Sequence, residues 1–288
     1  MSEPDFYLEH FGLDERPFTL LPDPDFLFWS SIHRRAYTVL EYGILSRAPI
    51  TLLTGEVGAG KTTLLQNLLK SVSPDVTIAL VSNAQGGRGE LARWVLNALD
   101  QRVPVDATYV DMFHQLEEFL LAEYASGRRV LLVFDEAQHL SFEGLEELRM
   151  LTNVNSNKDE LLQLVLVGQP ELRDMVRRPD LKQFAQRIVA TFHLPPMDAD
   201  TVYAYIQHRM RVAGGTGFEI KRDASDLVSQ VTSGVPRLVN QLCDISLLYA
   251  WTMNRKTVQE KTVEMVLNEG LYLPAAAYAE QGEAEKVE

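Results

Sequence analysis

A single cysteine, Cys243, stands among the 288 residues. One thiol cannot build an internal disulfide framework or a Cys-rich zinc site, and so sparse a usage fits a reducing compartment. Histidine is scarce as well: His10, His33, His114, His139, His193 and His208 include no pair at the i, i+4 spacing of a helical metal site. No uninterrupted apolar run approaches the roughly 18 residues that a spanning helix needs. The opening segment MSEPDFYLEH has acids where a secretory signal carries a basic stretch and an apolar run, so neither membrane crossing nor export by these signals is expected. Positive charge is also in deficit, with 27 Lys plus Arg against 40 Asp plus Glu and a formal charge of −13. No global positive field draws the chain toward nucleic acid or anionic lipid, although a local basic groove is compatible with that total. Internal repeats are absent.

What remains is ordinary globular material, 46% hydrophobic and 23% charged. At roughly 150 residues per domain, the length allows one large domain with an appendage or two modest ones. The first residues are dense in aromatics and prolines, among them Phe6, Tyr7, Phe11, Phe18, Phe26, Phe28 and Trp29. Such large apolar side chains are costly to leave in water, so residues 1–32 are expected to form an ordered arm packed on the protein. A helical pattern over 33–46 follows, closed before Pro49.

Short apolar runs then alternate with amphipathic stretches, the pattern of helices covering both faces of a mostly parallel sheet. Five strands are predicted at 50–54, 76–82, 129–135, 161–168 and 188–194, with helices near 61–72, 88–101, 108–125, 142–154 and 171–187. Beyond Pro195 and Pro196 only helical periodicity remains, near 199–212, 223–232, 236–253 and 259–269. The expected organisation is therefore an α/β core over 33–197, a small all-helical domain over 198–271, and a disordered acidic tail over 272–288.

The segment GEVGAGKT, Gly55 to Thr62, matches G-x-x-x-x-G-K-[ST] and lies between a predicted strand and a predicted helix. The pattern predicts a phosphate-binding loop, and with it a P-loop NTPase fold. The backbone of Gly55, Glu56, Val57, Gly58, Ala59 and Gly60 can turn its N–H groups around a polyphosphate, aided by the positive end of the helix dipole. Lys61 is expected to reach the terminal phosphates, Thr62 to supply a hydroxyl to Mg2+, and Thr63 to join the loop in binding the nucleotide. A plain glycine turn would need neither the lysine nor the hydroxyl. The run RVLLVFDEAQ, 129–138, is a buried strand ending in two acids. Asp135 can hold Mg2+ through its water shell and Glu136 can polarise a water for in-line attack, whereas alone the pair could simply complement a helix dipole.

Together these segments resemble the AAA+ ATPases, and within them the ExeA/GspA type associated with the general secretion pathway. The likeness runs from about Phe6 to Leu273 and rests on FGLDERPF (11–18), PDPDFLF (22–28), GEVGAGKTTLL (55–65), FDEAQ (134–138), VGQPEL (167–172) and SGVPRLVNQLCD (233–244). It implies a three-layer ATPase core with a five-stranded sheet followed by a helical lid, using ATP and Mg2+. The resemblance makes Gln169 a first sensor near the γ-phosphate or attacking water. It makes Arg237, after Pro236 in GVPR, a lid arginine that reaches the nucleotide. It makes Arg187 an arginine finger supplied to a neighbouring subunit, with Arg173, Arg177 and Arg178 as rivals. Asn83 takes the place of a polar residue that can hold the catalytic glutamate in an inactive rotamer, although a strand-end asparagine is equally a turn former. QGGRG, 85–89, could be a substrate-facing loop, an anion nest or a plain connection. Phe26, Phe28 and Trp29 lie where related arms approach adenine, or are simply core.

The larger secretion relatives continue into a membrane-spanning segment and a peptidoglycan-binding region, so the likeness covers only their ATPase part. It implies a cytoplasmic or peripherally attached homo-oligomeric ATPase, a ring or helical filament, acting as a motor or switch on a secretion or envelope-polysaccharide export partner. The competing readings are a DNA-binding regulator that forms ATP-dependent filaments, like the TnsC-type transposition ATPases, a small-molecule kinase, and a non-catalytic ATP sensor.

Overall fold

The computed structural model describes residues 7–21, 23–82, 90–156 and 159–272. The first half of the chain runs α1 (Leu8–Phe11), α2 (Ser31–Leu45), β1 (Ile50–Gly55), α3 (Lys61–Ser71), β2 (Val76–Ser82), α4 (Glu90–Ala98), α5 (Tyr109–Ala125) and β3 (Arg129–Asp135). Next come α6 (Phe142–Leu151), the short strands β4 (Asn155–Ser156) and β5 (Asp159–Glu160), β6 (Leu162–Gly168), α7 (Pro170–Val176), α8 (Lys182–Ala185) and β7 (Ile188–Leu194). Four helices complete the described chain: α9 (Ala199–Val212), α10 (Arg222–Thr232), α11 (Pro236–Thr252) and α12 (Glu260–Asn268). Two compact units result. One comprises Ser31–Glu56 and Leu64–Leu194; the other draws its described residues from Met1–Ser30, Val57–Thr63 and Pro195–Glu288.

In the α/β unit the sheet is parallel throughout, in the order β2-β3-β6-β1-β7. The inner strands β1 and β6 are buried along their whole length and β3 along all but its ends, whereas the edge strands β2 and β7 mix buried and exposed positions. Burial of both faces is what selects the near-continuous Val/Leu/Ile runs of the inner strands. Leu132, Phe134, Leu164 and Leu166 share one core with Leu96, Leu116 and Leu148 from α4, α5 and α6. Helix α2 approaches β1 at a glycine: a Cβ on Gly43 would come 2.1 Å from Thr51 Oγ1. Helix α5 opens with a capping box, in which Asp111 N–H donates to Thr108 Oγ1 (3.3 Å) and Thr108 N–H donates to Asp111 Oδ2 (2.9 Å).

Two expectations about local structure are corrected. The single helix anticipated over 171–187 is broken: α7 stops at Val176, Pro179–Leu181 forms a 3-10 turn, and only α8 follows. The reason is Pro179, which lacks an N–H and forces Arg178 into extended backbone, with φ −60° and ψ 143°. The helix anticipated to 154 ends at Leu151, and the small antiparallel pair β4 and β5 follows it.

The helical unit builds its core from α9 to α12 together with the aromatic arm. Tyr7, Phe11, Phe18 and Phe26 are buried among Val202, Ile206, Leu242 and Leu247. Polar contacts fasten the arm. The Tyr7 hydroxyl and Arg16 Nη2 both donate to Asp244, the latter at 2.5 Å, while Arg209 Nε donates to Pro17 O (2.5 Å) and Asn240 Nδ2 to Thr19 O (3.2 Å). Burial, with the Asp244 charge beside it, pushes the Tyr7 hydroxyl's pKa well above its ordinary value. The Arg209 guanidinium lies over the Phe26 ring, 4.6 Å from its centroid. The α10–α11 turn needs Gly234, whose φ is +69° and whose Cβ would strike Met197 O at 1.9 Å. Among the described residues no helix is long and apolar enough to cross a membrane.

Candidate functional site

The phosphate-type loop leaves β1 at Gly55 and enters α3 at Lys61. Gly58 and Gly60 take left-handed backbone, φ +78° and +92°, which favours glycine at both places and lets the chain reverse within a few residues. Ala59 and Lys61 are buried, Gly58, Gly60, Thr62 and Thr63 are half-buried, and Glu56 and Val57 are exposed. The positive end of the α3 dipole lies at this helix start, which makes it suited to an anion. Arg237 meets the loop from the first turn of α11. Its N–H donates to Gly58 O at 3.3 Å, and a Cβ on Gly58 would come 2.5 Å from Arg237 Cβ. Pro236 occupies the first helical position of α11, where a missing N–H costs nothing.

The second group of residues sits at the carboxyl edge of the sheet. Parallel pairing brings the strand ends level: Thr54 of β1 lies beside Gly168 of β6, Phe134 of β3 beside Leu166, and Ser82 of β2 beside Asp135. The edge from which the loop departs is therefore also the edge that carries Asp135, Glu136 and Gln169, the position where open α/β sheets bind ligands. Asp135 Oδ1 accepts from Glu136 N–H at 3.0 Å. Glu136 adopts left-handed backbone, φ 56° and ψ 36°, at the turn out of β3. Its carboxylate Oε2 accepts two amide hydrogen bonds, from Gln138 Nε2 at 2.6 Å and from Gln169 Nε2 at 3.3 Å. Gln169 also donates its backbone N–H to Gln138 Oε1, at 3.0 Å. Sequence reasoning assigned no role to Gln138, because its partner Gln169 lies 31 positions away.

Arg187 lies apart from this group, at the start of β7. Its Nη1 donates to Thr152 O (3.0 Å) and Thr152 Oγ1 (2.8 Å), and its Nη2 donates to Asn153 Oδ1. Of its rivals, Arg178 is paired with Asp180 at 2.6 Å and Arg177 is exposed. Asn83, the 85–89 stretch and the tail beyond 272 lie outside the described residues.

Thr62 and Asp135 are hard oxygen donors, the ligand type that Mg2+ prefers. Among the described residues no group of three or more His, Cys, Asp or Glu side chains could enclose a metal.

A family model described as an AAA domain matches residues 44–176. General secretion pathway protein A of Aeromonas hydrophila is 39% identical over 245 residues, 85% of this chain. Residues 44–176 thus match an AAA domain, within a longer stretch that is similar to general secretion pathway protein A. The chain spans about half, 45%, of that relative's length. The fold recurs in solved structures. The Aeropyrum pernix ORC2 protein, in ADPNP–ADP complexes, gives a TM-score of 0.63 at 21% identity over 89% of this chain and 72% of that one. Drosophila ORC bound to DNA gives 0.68 at 16% identity, over 94% of this chain and 67% of that one. The AAA match and these structures agree with the fold class expected from the sequence, a P-loop NTPase sheet followed by helices.

Proposed function

We propose that the chain binds ATP with Mg2+ at residues 55–62 and hydrolyses it as a homo-oligomer, and that the cycle of assembly acts on a secretion or envelope-polysaccharide export partner. The observation that carries this reading is the common sheet edge, where the loop leaves β1 and Glu136 stands beyond β3 with its carboxylate held by two amides. Lys61 and the backbone of the loop bind the phosphates. Thr62 and Asp135 would hold Mg2+, which when bound neutralises phosphate charge and orients the terminal group. Glu136 accepts a proton from the attacking water, and Gln169 steadies that carboxylate. Arg237, whose backbone already touches Gly58, reports nucleotide to the helical unit. Arg187 serves as the finger by exchanging Thr152 and Asn153 for phosphate oxygens of a neighbouring subunit.

The secretion partner is suggested by the 39% identity to general secretion pathway protein A. A cytoplasmic place, or a peripheral one at the inner membrane, goes with that partner. A role on DNA is disfavoured by the charge of −13. An ATP-dependent, salt-sensitive DNA shift would reverse that preference. The test of the whole reading is particle mass with and without a slowly hydrolysed ATP analogue, alongside phosphate release over a range of protein concentrations. The expected outcome is a larger particle with the analogue and a specific activity that climbs with concentration. A monomer in both conditions, with concentration-independent activity, contradicts it.

A further inference from the structure

We infer that Gln138 is a positioning residue for Glu136, a clasp that sets the carboxylate and ties it to the carboxyl end of β6; this rests on the proposed role of Glu136. The side-chain amide of Gln138 is used at both ends. Its Oε1 accepts from the Gln169 N–H at 3.0 Å and its Nε2 donates to Glu136 Oε2 at 2.6 Å. An amide has one accepting and one donating end, so these two partners admit a single orientation. The same Glu136 oxygen receives Gln169 Nε2 at 3.3 Å, so two fixed donors grip one atom. With Oε2 held between them, the plane of the carboxylate is set, and with it the direction of its other oxygen.

The surrounding backbone is shaped for this contact. A Cβ on Gly168, the last residue of β6, would come 2.9 Å from Gln138 Oε1 and 2.8 Å from Leu172 Cδ2. The strand thus ends in glycine where the Gln138 amide passes. Glu136 itself holds a left-handed conformation that disfavours any residue with a side chain, and such positions persist only where neighbouring contacts over-determine them. Gln138 supplies one of those contacts. A displacement at the carboxyl end of β6 is transmitted through its amide to the carboxylate, and orientation errors of about 1 Å cost about 100-fold in rate.

Two substitutions separate a clasp from a strut that merely props the Gln169 backbone. Gln138→Leu removes both hydrogen bonds. Gln138→Glu keeps the acceptor for Gln169 N–H but replaces the donor to Glu136 with a second carboxylate. In steady-state phosphate release by the full chain, both variants are expected to lose about 10- to 100-fold in kcat, with KM and affinity for a fluorescent ATP analogue within about twofold of wild type. Gly168→Ala, which displaces the amide without deleting it, is expected to lower kcat in the same selective way. Wild-type kcat in Gln138→Glu, or a loss of nucleotide affinity matching the loss of rate, overturns the clasp. Should Gln138→Leu fail to fold, the near-isosteric glutamate variant decides alone. Glu136→Gln run in parallel separates the two levels: wild-type turnover there removes the role of Glu136 itself. An inactive Glu136→Gln beside fully active Gln138 variants removes only the clasp.

Discussion

The α/β unit and the helical unit are each stabilised internally by a different balance of contacts. In the first, apolar side chains from neighbouring strands and helices fill a core such as that around Leu132, Phe134 and Leu166. The second closes over distant pieces of chain: Tyr7 bonds Asp244 across 237 positions, and Arg209 bonds Pro17 across 192. Its core also contains Arg209, which is buried, stacked on Phe26 and lacks a partner for Nη2 among the described residues. An apolar core tolerates trimming in proportion to the volume lost, whereas a polar fastening fails abruptly when one partner is removed and the other stays buried. The helical unit should therefore depend on its N-terminal arm far more than a chain of four amphipathic helices suggests.

The largest effect sharpening this contrast is expected at Phe18, 1% exposed in the core of the helical unit. Phe18→Ala should cost about 3–5 kcal/mol, read in denaturant unfolding, comparable to Leu132→Ala in the α/β unit at about 2–5 kcal/mol. A loss under about 1 kcal/mol at Phe18 would mean that the arm only decorates the unit. Next comes Asp244→Ala, which strands both the Tyr7 hydroxyl and Arg16, at about 1–3 kcal/mol. Adding Tyr7→Phe should recover part of that loss, and strict additivity would break the fastening argument. The smallest change is expected at Arg222, whose exposed pairs with Asp200 (2.7 Å) and Asp226 (2.8 Å) are open to solvent. Arg222→Ala should stay within about 1 kcal/mol and shrink further in salt.

The same contrast governs what the sequence made legible. Strand β3 was readable to its last residue because a buried apolar run ends at an acid, and α11 because Pro236 marks a first turn. The loop was readable because glycine spacing and a following lysine encode local backbone, with Gly58 and Gly60 adopting the left-handed values such loops use. Composition alone said that Phe18 and Phe26 should be buried, but not that they would join the helices after Pro195. The break at Pro179 is encoded in its missing N–H, which overrides the helical periodicity of the residues around it. Neither the two-residue strands β4 and β5 nor the Glu136, Gln138 and Gln169 contacts leave a periodic trace. They arise only when segments far apart in the chain meet at the sheet edge.

The most direct test of the central claim measures ATP binding and phosphate release side by side for wild type, Lys61→Ala and Glu136→Gln. Lys61→Ala is expected to lose nucleotide binding, and Glu136→Gln to bind as wild type while turnover falls by about 100-fold or more. Unchanged affinity in Lys61→Ala, or unchanged turnover in Glu136→Gln, would contradict it.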